Sequence, residues 1–238
     1  MRRFFILFWI LILSPFSALL SQSKDLVAKI DGLRSLYDSL IQQDLQLIDG
    51  KAHTAKYPIG TGHPFFLTKE PLKGIIFMHG QEFRHSFVRY DVFNNILQIY
   101  HFTETGPQII DLNKDKIDAF SIEGHYFINM LSSKNPNLSI PEGFYEVKYK
   151  GPVSLLLRHE KVFLDYASGS RGGYEDHLIR YLSTQDGWFR ISGRKSLLNA
   201  FGEDREEIIK YLRKSGISVK LATDEDIIRI IKFSESID

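Results

Sequence analysis

From Phe65 to about Ile191 the chain is a succession of short β-branched and aromatic runs broken by Gly, Asn and Asp. "LKGIIFMHGQEFRHSFVRYDVFNNILQIYHF" opens it. "PQIIDL", "IDAFSIEGHYFINML", "GFYEVKYKG", "VSLLLRHEKVFLDY" and "HLIRYLSTQDGWFRIS" follow. Runs of this kind, bounded by turn formers, read as strands. "EGHY" and "QDGW" put Glu-Gly and Asp-Gly where tight hairpins need positive φ. About nine or ten short strands joined by short turns predict a largely antiparallel meander, either a twisted sheet or a partly closed barrel. Aromatic residues, 13% of the chain, supply the bulk of such a core.

The flanks are different. "MRRFFILFWILILSPFSALLSQS", residues 1–23, has Arg2 and Arg3, an apolar run from Phe4 to Leu13, a break at Pro15 and small residues towards Ser21 and Ser23. That pattern is a secretory signal peptide, with cleavage expected near Ser21 to Ser23. A retained membrane anchor is the alternative, but the uninterrupted run is shorter than the roughly 20 residues a spanning helix needs. The chain contains no cysteine. A disulfide, a thiolate metal site, a cysteine nucleophile and a lipoprotein anchor are therefore excluded, and the mature chain must rest on its hydrophobic core. The expected location is periplasmic or extracellular, without a membrane span in the mature chain. A formal net charge of +1 over 238 residues gives no reason to expect nucleic acid as a partner.

Residues 24–48 carry Leu26, Ile30, Leu33, Tyr37 and Leu40 at helical spacing, and a helix lying on the domain is expected there. Residues 49–63, rich in turn formers, read as a linker. The β domain then spans 64–192 and a helical cap 193–238. In the cap, Asp204 and Thr223 are placed to start helices and Gly216 to stop one. Ile208, Tyr211 and Leu212 form one apolar face; Ile227, Ile230 and Ile231 form another. The fold class is α+β.

The apolar strand ending in Gly80, "RYD" at 89–91, "IDAF", "GFYEV" before a run of leucines and the tail "RKSLLNAFGEDREEIIKYLRKSGI" together resemble a group of uncharacterised exported proteins of the Bacteroidota. The resemblance spans roughly residues 60–235. It implies export and a β-rich fold, and brings with it no activity and no catalytic residue.

Chemistry-bearing constellations are sparse. If Gly80-Gln81 is a two-residue turn, His79 faces Glu82 and His85 lies opposite Ile76, too far apart to share an ion; no metal site is expected. No Gly-x-Ser-x-Gly elbow or phosphate loop occurs, and no cofactor is expected. Glu175 and Asp176 are adjacent, so a strand sends them to opposite faces. "SGSRGGYEDH", 168–177, is the strongest candidate, with Arg171 for an anion, Tyr174 for stacking and His177 beside them. The same residues also suit a plain hairpin end between "KVFLDY" and "HLIRYL". The second candidate is Arg89 with Asp91, which share one strand face, while Tyr90 points to the other. Such a pair holds a polar ligand or forms a structural ion pair. A non-enzymatic envelope protein that works through binding or assembly with an envelope partner is the leading expectation. An exported hydrolase is the alternative.

Overall fold

The computed structural model describes residues 50–54, 56–103, 106–135, 138–165 and 172–237. The leader at 1–23, the helix expected over 24–48 and the candidate Arg171 lie outside the described residues.

Among the described residues, eleven strands form one antiparallel sheet. They are β1 (Gly50–Ala52), β2 (Leu72–Met78), β3 (Gln81–Asp91), β4 (Ile96–Thr103), β5 (Gly106–Leu112), β6 (Ile117–Ile122), β7 (His125–Met130), β8 (Gly143–Tyr149), β9 (Ser154–Leu164), β10 (Gly173–Thr184) and β11 (Gly187–Ile191). Their spatial order is β1-β5-β4-β3-β2-β6-β7-β8-β9-β10-β11, so the sheet is open, with an edge at each end. Of the two expected forms, a twisted sheet or a partly closed barrel, the sheet is the one adopted, and it does not close on itself. The path is also not one meander: β2 to β5 form one run of hairpins and β6 to β11 a second.

Only Asn113 to Lys116, with a 3-10 turn at Lys114–Lys116, carry the chain from β5 back to β6 beside β2. In a flat sheet that crossing spans four strand spacings, about 19 Å. Five peptide steps reach about 17 Å when fully extended. The first run must therefore curl. β3 is where it turns, pairing with β2 from Gln81 to Val88 and with β4 from Val88 to Asp91. The curl encloses an aromatic core. Tyr90 of β3 meets Phe120, Phe127 and Phe144 edge-on, with centroids 5.3, 5.4 and 5.6 Å away. All four rings are buried, each worth on the order of 2 kcal/mol in removed apolar surface.

The first hairpin turn is His79-Gly80, not Gly80-Gln81, because Met78 pairs with Gln81. His79 and Gly80 take φ of 51° and 74°. Two left-handed residues match strand twist, and histidine tolerates that region better than most side chains. Phe77, not His79, therefore faces Glu82, and His85 pairs with Gly74 instead of Ile76. Glu123-Gly124 makes the expected turn, with φ of 48° and 82°. At the last hairpin Thr184 pairs with Gly187, so the turn is Gln185-Asp186 and the glycine opens β11.

Residues 50–63 do more than link. Gly50–Ala52 pair with β5 as an edge strand, and the His53 N–H donates to the Ile109 carbonyl at 2.9 Å. Further on, Thr61 bridges the start of β10: its N–H donates to the Gly172 carbonyl, and its own carbonyl accepts from the Tyr174 N–H. A Cβ on Gly60 would lie 2.1 Å from the Gly172 oxygen, so only glycine permits this approach. The segment is a strap tied down at both ends.

The tail forms three helices, α1 (Arg194–Asn199), α2 (Arg205–Ser215) and α3 (Asp224–Ser234). Gly216 ends α2 at φ 68°, and Thr223 caps α3 through reciprocal bonds with Asp226. Asp204 occupies the N-cap of α2 without a side-chain capping bond. Ile208, Leu212, Ile227, Ile230 and Ile231 are buried in one cluster with Leu155, Leu157 and Leu182 of β9 and β10.

Candidate functional site

Three strands build a charged cluster next to the aromatic core. Glu146 on β8 sits opposite Phe127 of β7 and Leu157 of β9. His125 and His159 lie two residues from those partners, so strand alternation puts all three side chains on one face along a diagonal. His125 Nδ1 lies 2.6 Å from Glu146 Oε1, and His159 Nε2 lies 2.6 Å from Oε2. An ionised carboxylate only accepts, so both ring nitrogens carry the hydrogens. Lys148 Nζ reaches Oε1 at 2.6 Å. Phe66 closes over the cluster, its ring 5.1 Å from His125 and 5.0 Å from His159. The Glu146 side chain is 3% exposed. Burial pushes its pKa up, but the bonds from His159, Lys148 and His125 outweigh burial and bring it down to about 2.

The second polar cluster lies under the strap and contains both Arg89 and Asp91, though not as a pair. Arg89 donates through Nε and Nη2 to Gln98 Oε1, at 3.0 and 2.9 Å, and through Nη1 to the Lys69 carbonyl. Its guanidinium lies over the Phe65 ring at 3.8 Å. Asp91, fully buried, accepts from Tyr57 Oη at 2.7 Å and from the backbone and side chain of Asn94. Burial, then the Asp91 carboxylate, pushes the Tyr57 hydroxyl well above the usual phenol range. Gln98 passes the network on to Asp111, which holds His53 Nδ1 at 2.9 Å. His53 Nε2 is buried with no partner among the described residues. Tyr90 points the other way, into the core, as alternation requires. The polar groups here bond one another and fasten the strap to β3, β4 and β5.

Of the candidates in 168–177, the two described ones, Tyr174 and His177, do not converge. Gly173 to His177 belong to β10, so the loop is shorter than the sequence pattern suggests. Tyr174 and His177 are three residues apart on that strand and face opposite sides. Tyr174 donates to the Pro58 carbonyl at 3.1 Å, and its ring packs edge-on against Phe93 and Phe163. His177 is 52% exposed, and its Nε2 lies 4.0 Å from Glu175. Tyr174 is a strap anchor.

The sheet opens between β8 and β9. Their pairing covers only Leu155 to Leu157 of β9, and no strand among the described residues pairs with Arg158–Leu164 on that side. Asn95, at the end of the β3–β4 turn with φ 56°, is wedged against β8. Its Oδ1 accepts from Tyr90 Oη at 3.0 Å and from the Phe144 N–H at 3.4 Å. Beside this wedge a cleft of about 250 Å³ runs along the β9 edge, with Tyr90, Phe93, Phe144, His159 and Val162 in its walls.

Comparison with known proteins returns no matching family model, curated sequence or solved structure.

The site's chemistry must therefore be read from its own atoms. Among the described residues no group of three or more His, Asp or Glu side chains has metal-ligand spacing. A carboxylate held at about 2 does not exchange protons near neutrality, where a general base has to work. Glu146 orients His159 at the cleft wall and stays an anion. Glu146, His125 and His159 were not singled out from the sequence. The available signal was a lone glutamate in "GFYEV", two positions from Phe144 and hence on its inward face.

Proposed function

We propose that this chain is an exported cell-envelope protein that works by binding or assembly and not by catalysis. The observation that carries the reading is that the buried carboxylates of its charged clusters are held by donors of this same chain. Glu146 is surrounded by three donors of this same chain, and Asp91 by Tyr57 and Asn94. Glu146, held as an anion well below the usual carboxylate range, is not poised to move a proton on a substrate. The leader-like residues 1–23 and the resemblance to exported Bacteroidota proteins support export. No helix among the described residues is long and apolar enough to cross a membrane.

The test has two parts. In cells, the chain is expected in the envelope fraction with an N-terminus near Ser21 to Ser23. Cross-linking in intact cells is expected to give a discrete species above the monomer mass. A cytosolic chain still starting at Met1 would remove the reading. So would turnover of chromogenic esters or glycosides that is lost in Glu146→Gln or His159→Ala, and that result would favour the exported hydrolase.

A further inference from the structure

We propose that the open edge of β9, Arg158–Leu164, takes up an extended segment of a partner polypeptide as an added strand. This deepens the binding reading above and rests on it.

Among the described residues, the capacity left unmet at this edge is backbone capacity. Alternate residues of a strand direct both N–H and C=O to the same side, so roughly three or four of these seven residues face the cleft with both groups. The opposite wall is already satisfied where Asn95 accepts from the Phe144 N–H. Among the described residues β9 has a row of backbone groups without a strand partner on this side, and an extended chain matches their spacing where a helix does not.

Free edges are normally guarded by charge, lysine above all. Here the guards are turned away. Lys161 Nζ is tied to Asp176 at 2.8 Å, across the hairpin on β10. The Arg158 guanidinium bonds Glu160 at 2.6 Å and reaches across the split to the Pro141 carbonyl and Tyr145 Oη. Two apolar side chains remain exposed beside the edge, among the polar groups of the cleft. Val162 and Leu164 share one face and are 39% and 36% exposed. The matching segment presents apolar side chains at alternate positions over Val162 and Leu164, and small or polar ones towards Asn94 and Asn95.

A second copy of the chain does not suit the place. Two β9 edges would have to approach to about 4.8 Å, and the Val92–Asn95 turn stands beside each of them.

The probe is a displayed library of random dodecapeptides, panned on the purified chain. Enriched peptides are expected to alternate apolar and polar residues. They should bind the double variant Val162→Glu, Leu164→Glu roughly tenfold more weakly, because charge at an edge opposes pairing. Leu178→Glu, exposed on the other face of the hairpin, should bind them unchanged. Bound peptide should slow amide exchange across 158–164, and unchanged melting of both variants confirms that they fold. Three results overturn the proposal: no enrichment over a folded control, equal binding by the double variant, or exchange unaltered at 158–164. Self-association of the free chain that the double variant abolishes would also overturn it, by giving the edge to a second copy. Peptides that bind elsewhere leave the binding reading standing without this edge, whereas absence of any cross-linked species in cells removes the reading itself.

Discussion

Glu146 keeps only 3% of its side chain exposed yet stays ionised, because His125, His159 and Lys148 all reach it at 2.6 Å. Its pKa falls from 4.5 to about 2 on folding. A depressed carboxylate contributes stability that is fully present above the unfolded value and is lost as pH drops through the folded one. The window here is therefore about pH 4.5 down to 2, and the contribution is on the order of 3 kcal/mol. Glu146→Gln is expected to lower stability at pH 7 by about 2–4 kcal/mol. Across that window the gap between variant and parent should close, which urea midpoints taken at half-unit pH steps will show. Parallel curves would mean that the cluster contributes no pH-dependent stability. Asn95 supports the same face by different means. Asn95→Ala removes the acceptor of a buried tyrosine hydroxyl and places a Cβ residue less tolerant of positive φ at 56°, so a loss of about 1–3 kcal/mol is expected in denaturant melts. Asn95→Asp keeps an acceptor and should lose less. At this scale the sequence shows which way a side chain points and little about what it meets. That Arg89 and Asp91 share a face follows from alternation, but Gln98, Tyr57 and Asn94 as their partners do not.

α3 is the element whose sequence and structure agree most closely. Thr223 and Asp226 form the reciprocal cap, acids fill the first turn, and Ile227, Ile230 and Ile231 are buried together. All of these signals are local, within four residues of one another, and so they can be read along the chain. Ile230→Asp puts a carboxylate where the parent side chain has no exposure, and at least about 3 kcal/mol should be lost in thermal melts at pH 7. Arg229 is largely exposed and pairs with Asp226 at the surface, so Arg229→Ala should stay within about 0.5 kcal/mol. Equal effects would show that α3 does not dock by its isoleucine face. Elements held by long-range partners were read less well. β1 has three residues, too few for an alternating pattern, and the Thr61–Gly173 bridge involves one residue on each side, so the strap resembled a linker. The first hairpin was displaced by one residue because His79, not Gln81, takes the left-handed position beside Gly80.

For the whole chain, the antiparallel β class with helices at the C-terminal end follows from period and punctuation, whereas the strand order does not. Nothing local in "DLNKDKID" says that β6 returns to β2 and not to β5. That choice comes from burying Tyr90 against Phe120, Phe127 and Phe144, which three different strands supply. The glutamate–histidine cluster has the same origin: its members are 21 and 13 residues apart and meet through two strand registers, β7 with β8 and β8 with β9. The same dependence on distant partners governs the tail. Isolated helices shorter than roughly 12–15 residues are marginal in water, and α2 and α3 have 11 each. Their apolar faces are buried against Leu155, Leu157 and Leu182, so those β residues depend on the helices as much as the helices on them. Removing residues 203–238 should expose that seam and destabilise the β sheet itself. Differential scanning calorimetry of the intact chain should give one cooperative transition for sheet and tail, and the shortened chain should melt far lower or fail to fold. A shortened chain with an unchanged sheet transition would make the tail a separate module and its isoleucine face, not the β9 edge, the first place to look for a partner.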